Sequence, residues 1–87
     1  MAWQVEFTAK ADKQFAKLDR HTQQAIVKYL ERVIESDDPT LFGKALVGEF
    51  SGLWRYRVGK YRIICDLQQQ RLIVEVVRIG KRNSVYD

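Results

Sequence analysis

From Ala2 to Thr8 apolar and polar residues alternate, with Trp3, Val5 and Phe7 on one side and Gln4, Glu6 and Thr8 on the other. A period of two is the spacing of a strand with one buried face. From residue 9 the spacing lengthens. Ala11, Phe15 and Leu18 fall on one side of a helix over residues 9–19, with Lys10, Lys13 and Lys17 largely outward. Thr8, or the residue after it, can cap its start. Asp19-Arg20-His21 interrupts the pattern. Thr22 is the expected cap of a second helix whose stripe is Ala25, Ile26, Tyr29, Leu30, Val33 and Ile34. Asp37-Asp38-Pro39 ends it, because the residue before a proline is pushed out of the helical region. The short turn between the two makes them an antiparallel helical hairpin.

Residues 40–52 carry three glycines and few periodic apolar positions, as a loop with room for one helical turn does. Strands follow at about 53–58, 61–67 and 71–79. Gly59-Lys60 suits a two-residue turn between the first two, since glycine accepts the positive φ such turns need. That turn sets Val58 opposite Tyr61 and Arg57 opposite Arg62. Trp54, Tyr56, Val58, Tyr61, Ile63, Cys65 and Leu67 then share an apolar face, which makes the aromatic residues core rather than a base-stacking platform. Arg55, Arg57 and Arg62 share the other. Like charges directly opposite are unfavourable. Two explanations stay open: the face receives a polyanion, or its arginines splay into water. The last strand is apolar on both sides apart from Glu75 and Arg78, which predicts a central place in the sheet. The expected fold is α+β, in the order β-α-α-β-β-β, with a mainly antiparallel sheet and the helical hairpin packed on one face. It is one domain over residues 1–87.

Charge sharpens this picture. Residues 1–40 hold six Lys and Arg against seven Asp and Glu, whereas residues 41–87 hold nine against four, so the second half carries the whole excess of the net +4. An anionic partner fits that polarity, either nucleic acid or an acidic protein. The single cysteine, Cys65, excludes a disulfide within the chain and fits a reducing compartment. No leader is expected before the first strand, and no apolar run approaches the roughly 20 residues of a membrane span. The expectation is a cytoplasmic protein with no membrane partner.

Metal chemistry finds little support: there is one histidine, one cysteine, and no carboxylate cluster with ligand spacing. Asp37-Asp38 belongs to a helix-ending loop. A nucleophilic triad would require His21 to meet Ser51, Ser84 or Cys65, and nothing in the pattern brings them together. Gly43, Gly48 and Gly52 lack the spacing of a phosphate-cradling loop. Arginine, lysine and tyrosine acting on a phosphate remain, without metal or cofactor. A guanidinium forks onto phosphoryl oxygens and stabilises the charge of a pentacoordinate transition state, but it accepts protons poorly. Tyr86, following Lys81 and Arg82, is the tyrosine best placed to have its phenol pKa lowered by cations. RNA brings its own nucleophile, the 2′-OH.

The segment LWRYRVGKYRIICD, the strand VEVVRIGKR and Val85-Tyr86, preceded by a strand and a helical hairpin, resemble the RelE/ParE toxins of bacterial toxin–antitoxin pairs, and the RelE branch most closely. The resemblance covers nearly the whole chain and is strongest from Lys44 on. It implies a fold of the microbial ribonuclease type and a toxin that cuts messenger RNA in the ribosomal A site, where the ribosome orients the codon. By that resemblance Arg62 stabilises the transition state, Arg82 is a second catalytic arginine, and Tyr86 stacks on or orients the cleaved base. Lys44, Arg55, Arg57 and Lys81 are the expected RNA contacts. Arg57 replaces a lysine that transfers a proton in the family, so the proton acceptor falls to Tyr86 or Lys81. Val47 stands where some members carry a basic residue, and the chain ends at Asp87 without the additional segment of some others. The resemblance further implies an acidic, RelB-like antitoxin as partner, the ribosome and messenger as targets, and operator DNA bound through the antitoxin. A ParE-like toxin that inhibits DNA gyrase without cutting RNA is the alternative, and a degenerate toxin acting as a transcriptional co-regulator is a third reading.

Overall fold

The computed structural model describes residues 2–81. Strand β1 (Gln4–Phe7) leads into helices α1 (Ala9–Ala16) and α2 (Arg20–Glu35). A two-residue strand β2 (Lys44–Ala45) lies between single 3-10 turns at Pro39–Leu41 and Gly48–Phe50. Strands β3 (Trp54–Val58), β4 (Tyr61–Gln68) and β5 (Ile73–Lys81) complete the order. The expected α+β architecture is present, with β2 added to it.

The helix starts follow from their caps. The Thr8 hydroxyl accepts from the Ala11 N–H at 3.1 Å, as expected. At the second helix the cap is Asp19, not Thr22. The Asp19 carboxylate accepts from both the Thr22 N–H and its hydroxyl. A carboxylate at that position answers orphan amides that the hydroxyl three residues later would leave open. The helix therefore starts at Arg20, inside the stretch expected to be a break, and α1 stops at Ala16 rather than residue 19.

The strands form one sheet in the order β1-β5-β4-β3-β2. Only β1 and β5 run parallel; the other pairs are antiparallel. Strand β5 is thus interior, as its two-sided apolar character requires. Both helices cover one face. Ile26, Leu30 and Val33 of α2 and Ala11 of α1 close over Trp3, Tyr56, Ile63, Cys65, Val74, Val76 and Ile79. Within this core the Tyr56 hydroxyl donates to Pro39 O at 2.8 Å, and Trp54 Nε1 donates to Phe42 O at 2.6 Å. These two bonds tie the loop before β2 to the sheet. Gly43 makes that tie possible: its φ is +69°, and a Cβ there would stand 2.1 Å from Arg55 O.

Strand β5 is not regular. Ile64 pairs with Arg78, but Cys65 pairs with Val76, so Val77 is an extra residue, a β-bulge. The bulge reverses the alternation of β5 along its length. Beyond β1 the Ile79 N–H has no strand neighbour on that side, and Gln14 of α1 supplies an acceptor, Oε1, at 2.7 Å. Replacing Gln14 by Ala strands that amide. The expected loss, read from urea unfolding of Gln14→Ala, is about 1–3 kcal/mol. An unchanged midpoint would mean that the bulged end of β5 does not depend on α1.

Candidate nucleic-acid interface

The hairpin β3–β4 has the register expected from its turn: Val58 faces Tyr61, Arg57 faces Arg62, and Arg55 faces Ile64. Side chains alternate between faces along each strand. Tyr56, Ile63 and Cys65 therefore lie in the core, and Arg55, Arg57 and Arg62 share the face that the helices leave uncovered. Lys44 pairs with Arg55 across β2–β3 and joins them. A cavity of about 270 Å³ at this edge of the sheet is lined by Lys44, Arg55, Arg57, Gly43 and Tyr29.

Two cross-strand rows result. Lys44, Arg55, Ile64 and Arg78 form one, and Arg57, Arg62 and Gly80 form the next. Neighbouring strands lie about 4.8 Å apart, so cations from several strands bear on one small area. Gly80 has no side chain to crowd Arg62. Ile64, between Arg55 and Arg78, is only 3% exposed, which gives the cationic face an apolar floor. The arginines are not all splayed into water: Arg57 is exposed, but Arg55 and Arg62 are half-buried. The Nε atoms of both half-buried arginines are shielded from solvent, and that of Arg55 has no hydrogen-bond partner among the described residues. Shielding a donor without an acceptor costs about 1–3 kcal/mol. An orphaned donor of this kind warrants explanation, and an anion brought in from outside is one group able to supply the acceptor.

Arg78 was not among the expected contacts. Strict alternation from Val74 and Val76 would have turned it into the core; the bulge at Val77 turns it outward, across Ile64 from Arg55. The signal was present in the sequence. Glu75 and Arg78 are three positions apart and both demand solvent, and no unbroken strand can grant that to both.

Lys81 lies on the other side of the sheet from these arginines. It pairs with Tyr61, on the helix side of the sheet. There it lines a cavity with Asp19, His21 and Thr22 of the α2 start and with Lys60 of the hairpin turn. One residue beyond Gly80, the alternation carries it away from the arginines. Arg82 and Tyr86 lie outside the described residues, as does Ser84.

Other candidates separate cleanly. Cys65 is fully buried, and burial pushes its thiol well above the ordinary range, with the Asp66 charge adding to the shift. Burial likewise pushes the Tyr56 phenol far up. Tyr29 is raised by burial too, against an opposing pull from the Arg32 guanidinium, which lies 5.8 Å from the ring centroid. Ser51 is exposed, whereas Cys65 is buried, and His21 is exposed in the first turn of α2. Asp38 caps the turn at Pro39, its carboxylate accepting from the Thr40 N–H and hydroxyl, and the described residues contain no group of three His, Cys, Asp or Glu able to hold a metal ion. No described helix is long and apolar enough to cross a membrane.

Residues 5–86 match the family model described as the ParE toxin of the type II toxin–antitoxin system parDE. The chain belongs to this family and is a type II toxin of the RelE/ParE kind. Toxin RelG of Mycobacterium tuberculosis is 28% identical over 86 residues, covering 99% of this chain and 98% of that protein. A putative RelE-like toxin protein of Escherichia coli is 31% identical over 90 residues, covering 100% and 93%. Among solved structures, the toxin–antitoxin complex RelBE2 of M. tuberculosis superimposes with a TM-score of 0.82 at 26% identity, covering 94% of this chain and 93% of that one.

The buried thiol and phenol predict an alkaline weakness. Unfolded, they ionise around their ordinary values of 9.0 and 10.0; folded, they stay neutral. The unfolded state then binds fewer protons, so stability falls as pH rises through this range, by up to about 1.4 kcal/mol per pH unit per group. Urea midpoints measured between about pH 8 and 11 should drop, and Cys65→Ala should flatten the lower part of the fall. A flat profile would contradict the burial of both groups.

Proposed function

We propose that this toxin is a metal-independent endoribonuclease acting on messenger RNA held in the ribosomal A site. The arginine face carries the proposal: half-buried guanidiniums on one side of a sheet, with an orphaned Arg55 Nε, suit the phosphates of a nucleic-acid strand. Full-length likeness to proteins named RelG and RelE-like supports the nuclease branch.

The chemistry asks little of the protein. The ribose 2′-oxygen attacks the adjacent phosphorus as its proton passes to a base; the bond from phosphorus to the 5′-oxygen breaks, and that oxygen takes up a proton. A 2′,3′-cyclic phosphate and a 5′-hydroxyl result. Lys44, Arg55 and Arg57 hold flanking phosphates, and Arg62 faces the equatorial oxygens, where charge accumulates. Arg82 supplies a second cation and Tyr86 orients the base, both roles resting on family likeness. With arginine at position 57, the proton acceptor is Tyr86; Lys81, on the other face, is less suited to it. The toxin acts in the cytoplasm, where ribosomes are, and an acidic RelB-like antitoxin neutralises it, the pair binding operator DNA through the antitoxin.

A second reading has its own support, since the matching family model is described for parDE. On that reading the chain inhibits gyrase and cuts nothing.

Primer extension on translating messenger decides between them. The wild type should produce breaks at A-site codons, Arg62→Ala should slow them about a hundred- to a thousandfold, and Arg82→Ala and Tyr86→Ala should each reduce them. Uncut message together with inhibited supercoiling would establish the gyrase reading instead. Breaks that persist undiminished in all three variants would remove the site assignment.

A further inference from the structure

On the helix side of the β3–β4 turn lies a cavity of about 290 Å³, lined by His21, Lys60, Lys81 and Tyr61, among others. We propose that it is a second subsite for the phosphate backbone of single-stranded nucleic acid, reached when the strand held by Arg57 and Arg62 passes over the tip of the hairpin. The proposal deepens the nuclease reading and rests on it for the identity of the strand.

Position is the first argument. Arg57 and Arg62 form the last outward pair before the turn; Val58 and Tyr61, the next pair, face the cavity. One residue step therefore separates the two cationic areas, and Lys60 stands at the turn between them. Gly59, with a φ of +58°, keeps that turn tight. Charge is the second. Asp19 is the sole carboxylate among the described lining residues, and its two oxygens already accept from the Thr22 N–H and hydroxyl as the cap of α2. Against that one carboxylate stand the ammonium groups of Lys60 and Lys81. His21 adds a further ring donor. Shape is the third. Val58, Ala25 and Tyr61 give the cavity an apolar side suited to a sugar or base. Its volume is too small for a helix, which is about 10 Å across. A nucleotide unit fits these features better than an acidic helical peptide does.

The test is the salt dependence of binding, measured by fluorescence anisotropy with a labelled single-stranded oligouridylate. Each lysine contacting a phosphate adds about 0.7 to the slope of log affinity against log salt. Lys60→Ala combined with Lys81→Ala should lower that slope by about 1.4 and weaken binding several-fold. Lys10→Ala with Lys13→Ala, on α1, should change neither. Lys60→Arg with Lys81→Arg should preserve the slope, which separates lost contacts from a damaged fold. An unchanged slope in the double alanine variant overturns the subsite, as does failure of the wild type to bind the oligouridylate. Displacement of the RNA by polyglutamate more readily than by unlabelled oligouridylate overturns it in favour of an acidic peptide. If the wild type leaves ribosome-bound message uncut while the slope still falls, the nuclease reading fails and the subsite stands.

Discussion

The pairing of β3 with β4 is the constraint from which the rest follows. Once Gly59-Lys60 fixes the turn, Arg57 must face Arg62, and every residue of both strands is assigned to a face. A slip of one residue would exchange the two sets. It would place guanidiniums against Ile26 and Val33 and expose Tyr56 and Ile63, a change no small core could absorb. The burial of Tyr56, Ile63 and Cys65 therefore holds the arginines outward together. The fold tolerates like charges on adjacent strands because the opposite face of the same strands is so well packed.

This division of labour lets a chain of 87 residues hold both a packed core and a cationic face. Stability resides on the helix side, in a core closed by α1, α2 and the tie from Trp54 and Tyr56 to the Phe42 and Pro39 carbonyls. The other side carries Lys44, Arg55, Arg57, Arg62 and Arg78 over the apolar floor of Ile64. Half-burial of Arg55 and Arg62 limits their rotamers, so less order must be imposed when a phosphate arrives. The same half-burial leaves Arg55 Nε wanting an acceptor.

What could be read from the chain, and what could not, divides along physical lines. Period-two and helical spacing gave the faces, so the core, the helical pair and the hairpin register were legible. Alternation says which face a residue takes, not which strand lies beside it; the parallel neighbour of β1 was accordingly out of reach. Strand β2 was hidden because two residues are too few to show a period. Thr22 was taken for a cap because it precedes an apolar stripe, yet Asp19 can answer the Thr22 amide and begins the helix sooner. The faces of Lys81 and Arg78 were out of reach for a related reason: both lie past the Val77 bulge, where counting from Val74 no longer gives the face. Family likeness identified the kind of toxin, but it could not report the side of the sheet from which Lys81 points.

The central claim is that the sheet face bearing Arg55, Arg57 and Arg62 is the surface that meets RNA. Electron cryomicroscopy of the toxin bound to a ribosome carrying an uncleavable 2′-deoxy message would test it most directly. The account predicts message phosphates against these three arginines, with the cleavable linkage beside Arg62. A complex in which the message runs past the helices, or in which that sheet face is turned to solvent, would contradict it.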